Sequence, residues 1–239
     1  MARCCVWVEP RMTRHIEAEL LDELPADAPA AIRSRGDLRR VNWWMGHARI
    51  LRRALGDFPS PAPRKVVELG AGDGTLLLDL AARWPGHGTR VTAVLVDRQS
   101  LVSDGTRRAF AALGWDVQPV QADVSDWLER PGPPVDWILA NLFLHHLSAD
   151  RLRRLLPVAA VRSQVFIACE PRRAPLPLAA TRLLRLIGCN AVTRHDARVS
   201  VRAGFMDGEL SALWPSDSRW RLSERPAGLF SHLFMARRR

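Results

Sequence analysis

The residues of this chain best suited to chemistry are the adjacent pair His145-His146 and three carboxylates, Glu68, Asp97 and Asp123. An imidazole titrates close to neutral pH and can take a proton from a hydroxyl as it reacts. A carboxylate offers two acceptor oxygens, enough to hold both hydroxyls of a ribose. Each of these residues lies at or just beyond the end of a short apolar, β-rich run, such as Val66-Val67 before Glu68 and Val91–Val96 before Asp97. Such runs suit buried parallel strands. Open α/β sheets bind ligands at the carboxyl ends of those strands. The pattern therefore predicts one cleft, edged by acids and closed by histidines.

The loop after Glu68 narrows the ligand. Gly70, Ala71 and Gly72 form a turn with almost no side chains, so a ligand can approach the backbone closely. Asp73-Gly74-Thr75 then opens a helical run beginning Leu76-Leu77-Leu78. A dinucleotide site calls for G-x-G-x-x-G, yet Thr75 stands where its third glycine should fall. No lysine follows in the manner of G-x-x-x-x-G-K-[ST]. The pocket is of nucleotide type but fits neither phosphate-binding fingerprint.

Strand and helix patterns alternate from residue 64 onward, as a parallel sheet requires. Strands are predicted at 65–69, 91–96, 116–121, 135–140 and 164–169, with helices at 74–84, 99–113, 149–160 and 176–188. Trp220–Glu224 and Leu229–Ala236 read as a closing β-hairpin turned at Pro226 and Gly228. Residues 1–60 have a different texture. Ile16–Leu24 looks like a short acidic amphipathic helix ended by Pro25, and Asp37–Leu55 like a second helix. Phe58-Pro-Ser-Pro-Ala-Pro breaks the chain before the first strand. The expected organisation is an N-terminal helical cap over residues 1–60 and an α/β domain over 61–239.

Glu-x-Gly-x-Gly-x-Gly, from Glu68 to Gly74, resembles the first motif of class I S-adenosylmethionine (SAM)-dependent methyltransferases. The other matches recur in the expected order at 91–97, 121–127 and 135–148. The resemblance implies a doubly wound, mostly parallel seven-stranded sheet with an antiparallel C-terminal strand, and SAM as cofactor. It implies a cofactor site of Glu68, Gly70, Ala71, Gly72, Gly74, Asp97 with Arg98, Asp123 with Val124, and Asn141. Asp97 would take the ribose and Asp123 the adenine amino group; each also reads as an ordinary helix cap. Asn141-Leu-Phe-Leu-His-His resembles the segment beside the transferred methyl group. Asn141 is not followed by Pro-Pro-Tyr/Phe, the pattern for nucleobase amines, which favours a small-molecule acceptor reacting through oxygen. In small-molecule O-methyltransferases with Leu-His-Asp-Trp here the histidine is the base, and His145 matches it; His146 and Leu147 depart from that pattern.

His195 is a second candidate base, because Ser200–Phe205, before an apparent helix at 209–214, resembles the insert that helps form the acceptor pocket. Trp43, Trp44, His146 and Phe205 are the candidate acceptor contacts. Glu170 could orient a histidine, although a salt bridge to Arg172 or Arg173 is the simpler expectation. No metal is needed, since a sulfonium is already a strong electrophile. An RNA or protein methyltransferase, and a non-catalytic member of the fold, remain the alternatives.

Composition bounds the partners. The net charge of +10 invites a nucleic acid. Yet the basic residues are scattered arginines with Lys65 the sole lysine, so nucleic-acid binding is not expected. No apolar stretch approaches a membrane span or the core of a signal peptide, and the cytoplasm is the default location. Cys4, Cys5, Cys169 and Cys189 show neither metal-ligand spacing nor a disulfide framework. Oligomeric state is left open between monomer and homodimer.

Overall fold

Seven strands form one sheet: β1 (Lys65–Leu69), β2 (Val91–Asp97), β3 (Trp115–Gln121), β4 (Val135–Asn141), β5 (Ser163–Pro171), β6 (Trp220–Ala227) and β7 (Ser231–Arg238). Their spatial order is β3-β2-β1-β4-β5-β7-β6. β1 to β5 run parallel, and β7 runs antiparallel to both β5 and β6. The computed structural model describes residues 12–25, 27–56, 63–84 and 90–239. Cys4 and Cys5 lie outside the described residues, as does most of the Pro-rich stretch at 58–63.

Helices α1 (Leu20–Glu23), α2 (Pro29–Met45) and α3 (His47–Leu55) precede the sheet. The crossovers carry α4 (Thr75–Ala82), α5 (Asp104–Ala112), α6 (Val124–Glu129) and α7 (Ala149–Arg162), and α8 (Pro175–Ala180) and α9 (Ala191–Ala203) follow β5. Strand alternation sends Val67, Val96, Ile138 and Phe166 into a core with α7, while Val66, Leu95, Leu139 and Ile167 pack toward α3 and α4. Strands buried on both faces account for the nearly unbroken apolar runs. Strand order reverses between β1 and β4, and ligands bind at such a switch point. The loops after β1 and β4, which carry the glycines and the paired histidines, meet there.

The helical expectations needed correction where a tertiary partner or a glycine intervened. Asp37–Leu55 is not one helix: α2 starts at Pro29 and stops at Gly46, whose φ of +69° ends it before α3 begins. The amide of Gly46 donates to the carbonyls of Asn42 and Trp43, a glycine-terminated helix end. Of Ile16–Leu24 only Leu20–Glu23 is helical, and residues 12–19 form a non-helical strap. So short a helix gains little from local propensity, whereas Arg14 bonds the carbonyls of Ala203, His145 and Leu147 at 2.7–3.1 Å. Residues 176–188 divide into α8 and a 3₁₀ turn at Thr181–Arg185, and 209–214 holds only the 3₁₀ turn Ser211–Leu213. The predicted helix at 99–113 shrinks to α5, whose N-terminus is capped by Ser103.

Gly204, just past α9, shows how tightly the insert is bound to the sheet. A β-carbon there would sit 2.2 Å from the backbone oxygen of Pro171, which accepts the amide of Phe205 at 2.9 Å. Backbone cannot move aside as a side-chain tip can. Gly204→Ala is expected to destabilise the protein by roughly 3 kcal/mol, read as a lowered urea midpoint at unchanged slope. A loss under about 1 kcal/mol would show the contact to be soft.

Candidate active site

A cavity of about 1130 Å³ opens at the switch point. Its floor is the β1 loop, and its flanks are Asp97-Arg98 and Asp123-Val124. Asn141 and the His145-His146 turn close one end, while α2, the strap and the 181–187 segment roof it. The described residues thus bring together Glu68, Gly70, Ala71, Gly72, Asp97, Arg98, Asp123, Val124, Asn141, His145, His146 and Trp44 on one cavity.

The glycines have distinct roles. Gly72, with φ of +55°, would direct a β-carbon into open space, and its amide donates to Asp97 Oδ2 at 2.9 Å. That leaves bare backbone facing the cavity. Gly70 instead makes room for the Phe143 ring, which its β-carbon would approach to 2.4 Å. Gly74 does not line the cavity. It N-caps α4 in the left-handed region, and its β-carbon would meet Leu95 at 2.6 Å. Its role is therefore helix-to-strand packing rather than direct contact with a ligand.

The acids differ as well. Glu68 is fully buried, one of its oxygens (Oε2) has no partner, and it lines the cavity. Burial first, and then the charge of Asp73, raise its pKa to about 8 against a backbone hydrogen bond from Leu77. Asn141 Oδ1 is likewise buried without a partner at the same junction. An unsatisfied buried acceptor is costly, and two of them beside bare glycine backbone fit a ligand that brings donors and positive charge. SAM, with its ammonium and sulfonium, is such a ligand. Asp97 spans the loop, accepting Gly72 through one oxygen and Gln99 N–H at 2.8 Å through the other. Asp123 caps α6 through Ser125 N–H, and both its oxygens accept from Arg151 at 3.0 Å. Burial raises its pKa, but Arg151 and the cap bonds more than reverse that.

The histidine turn is the most constrained part of the site. Leu142 sits at φ of +51°, a conformation costly for a side chain with a β-carbon. Glu170, at the end of β5, holds the strained turn: Oε1 accepts the amides of Phe143 and Leu144 at 3.1 and 2.9 Å. Its other oxygen lies 2.8 Å from His145 Nδ1. The expected salt bridge from Glu170 to an arginine is thus overturned, since Arg173 turns away to Glu209 and the carbonyl of Gly204. His145 Nε2 points to Glu19 Oε1 on the strap at 3.3 Å.

Burial opposes a charge on His145, but Glu170 and Glu19 outweigh it and raise its pKa to about 9. Glu19, despite burial, is held at about 2 by His145, His146 and Ser200. His146 stacks on His145 at 4.2 Å between ring centroids, and burial together with its charged neighbour pushes its pKa down. The pair is therefore split into one imidazolium and one neutral ring at neutral pH. Donor atoms of Glu19, His145 and His146 lie within 4.8 Å of one another, a spacing that could also converge on a divalent cation.

Other candidates fall outside this arrangement. His195 is paired with Asp196 at 3.1 Å and does not line the cavity, because α9 presents Ala197, Ser200 and Val201 to it instead. Phe205 is buried in the core under the guanidinium of Arg14, 4.6 Å from the ring centroid. Trp43 lies on the outer face of α2, away from the cavity that Trp44 borders. Sequence reasoning missed Glu19, Arg14 and Ser200. The available signal was the acidic stretch Glu17-Glu19-Asp22-Glu23, which reads equally as the polar face of a helix.

With this geometry in hand, similarity to known proteins is informative. The family described as "Methyltransferase domain" matches residues 66–161, from β1 into α7. No curated protein matches the sequence significantly. Among solved structures, an O-methyltransferase family protein from Burkholderia thailandensis superposes with a TM-score of 0.59 at 19% identity, over 88% of this chain and 60% of that one. The mitomycin 7-O-methyltransferase MmcR gives 0.58 at 17% identity, over 92% and 60%. The plantazolicin methyltransferase BamL, solved with a triazolic desmethylPZN analog and SAH, gives 0.61 at 9% identity, over 90% and 91%. The chain thus spans about three-fifths of the first two and nearly all of the third. At these identities the likeness is one of fold. The chain thus carries a methyltransferase domain at residues 66–161, which supply β1 to β4 of the seven-stranded sheet, and SAM is the methyl donor it uses.

Proposed function

We propose that this enzyme methylates a hydroxyl oxygen of a small molecule, of the phenol type, with His145 as general base. The observation that carries the proposal is the buried Glu170–His145 pair, whose other nitrogen meets Glu19 on the strap, at the cavity that Glu68 and Asn141 also line. When bound, SAM supplies an electrophilic methyl carbon on a positively charged sulfur.

The chain's own residues would then act in order. Glu68, the Gly72 backbone and Asn141 hold the amino-acid end of the donor. Asp97 takes the ribose, with Arg98 beside it, and Asp123 with Val124 takes the adenine edge. Glu170 fixes the imidazole so that Nε2 faces the acceptor. With Glu19 displaced by the acceptor hydroxyl, His145 Nε2 would take the hydroxyl proton as its oxygen receives the methyl group. Most of the acceleration comes from holding the two reactants in line. His146 and Trp44 border the acceptor side, and residues before 61 act as its cap through the strap and α2.

The pH dependence of methyl transfer tests the assignment. The base must be unprotonated, so kcat/KM should rise with pH through an ionisation near 9. Glu19→Gln removes one of the two carboxylates that raise His145, and should move this limb down by roughly 1–2 units. The readout is labelled-methyl transfer to a panel of phenols between pH 6 and 10. A limb in the same place in both proteins would remove His145 from the role.

A further inference from the structure

We infer that the acceptor is an amphiphile: a compact polar head at the histidine turn and a hydrocarbon tail running beneath α2 to the 181–187 segment. The inference rests on the methyl-transfer reading above and names the substrate class of that same cavity.

Size comes first. At about 1130 Å³ the cavity exceeds the range of roughly 300–1,000 Å³ that accommodates one drug-sized ligand. It has room for a donor and a second molecule of comparable bulk. Its polarity is also divided. The acids and Asn141 lie along the strand ends, where the donor belongs. Beyond the histidines the wall carries Leu38, Val41 and Met45 from α2, with Leu183, Leu184 and Ile187 from the 181–187 segment. These offer a ligand dispersion and dry surface, while Arg35, Arg39 and Asn42 on α2 add polar points, Asn42 Oδ1 being buried without a partner.

The rim points the same way. Leu183, Leu186 and Ile187 line the cavity yet are 59%, 80% and 44% exposed, and Trp44 on the opposite edge is 73% exposed. Single exposed apolar residues are ordinary on a protein surface, but four around one opening mark a place where apolar matter enters. The 181–187 segment is held by its own turns, ending at Gly188 with φ of +77°, and Cys189 N–H donates to Leu184 O. Its leucines are therefore presented without a covering element among the described residues. A wholly polar acceptor would leave this half of the cavity unmatched, and a tail continuous with the head fills it.

Calorimetric titration of 4-alkylphenols with ethyl to octyl tails, below their critical micelle concentrations and with S-adenosylhomocysteine present, reads the tail site without requiring turnover. Affinity should rise about fourfold for each methylene buried. The double variant Leu183→Ser/Ile187→Ser, altered at exposed positions, should flatten that dependence while its thermal melt confirms folding. Affinities independent of tail length would overturn the inference, as would an unchanged slope in the double variant. If tailed phenols bind with the expected slope but no member is methylated at oxygen, the amphiphile site stands and the O-methylation reading fails.

Discussion

Glu68→Gln is expected to weaken SAM binding by ten- to a hundredfold and, at the same time, to stabilise the ligand-free protein. Both effects follow from one buried carboxyl. Its pKa of about 8, set by burial and then by Asp73, leaves it mostly neutral at pH 7. A cationic donor favours the ionised form, so binding at pH 7 should release close to one proton and tighten as pH rises toward 8. Removing a charged hydrogen-bond partner costs about 1.5–3 kcal/mol, hence the expected fold-change. The stability effect has a definite sign. A carboxyl whose folded pKa is raised contributes full stability below the unfolded value near 4.5 and loses it as pH climbs toward 8. Glutamine does not titrate, so the variant should gain on the order of 4 kcal/mol over wild type at pH 7.5, using 1.36 kcal/mol per unit, and almost nothing at pH 4.5. Melting curves at the two pH values, with calorimetry in buffers of different ionisation enthalpy, check both halves. Equal melting temperatures at pH 7.5 would show that Glu68 is not held neutral.

His145→Ala is expected to lower kcat by 10²–10⁴-fold while SAM affinity stays within a few-fold of wild type. Glu170 is a positioning residue, and Glu170→Gln separates its role from the imidazole's. The amide retains size and one acceptor oxygen but cannot supply charge, so the activity limb near pH 9 should shift downward and kcat fall less than in His145→Ala. A purely structural role would lower stability without moving the limb. Stability carries its own signature. The folded pKa of His145 lies above the ordinary imidazole value of 6.5, so its ion pairs contribute fully below that value, and the contribution is lost as pH rises through 9. Unfolding free energy measured from pH 6 to 10 should fall more steeply in wild type than in His145→Ala.

Much of the fold was legible because its signals are local. Alternating apolar patterns need only neighbouring residues to be read, and the sheet bears them out; the glycine loop and the acids after the β-rich runs line one cavity. The acceptor side was not, because its determinants pair across the chain. Glu19 meets His145 and Ser200, and Arg14 meets Ala203 and Phe205. In a local window those same residues look like the polar face of a short helix. Phe205 and His195 misled for the same reason: proximity to an acceptor-forming insert does not reveal which side of α9 or its following turn faces inward. Glu170 seemed destined for Arg172 or Arg173 beside it, yet the strained turn at Leu142 claimed both of its oxygens.

That double use of Glu170 has an evolutionary corollary. One carboxylate both terminates three backbone amides and sets the basicity of the imidazole. A substitution there acts on the proton affinity of the imidazole and on the hydrogen bonds of the turn together. α2 and the 181–187 segment make no hydrogen bond to it among the described residues. Divergence toward new acceptors can therefore proceed in those two segments while the proton-transfer apparatus stays fixed.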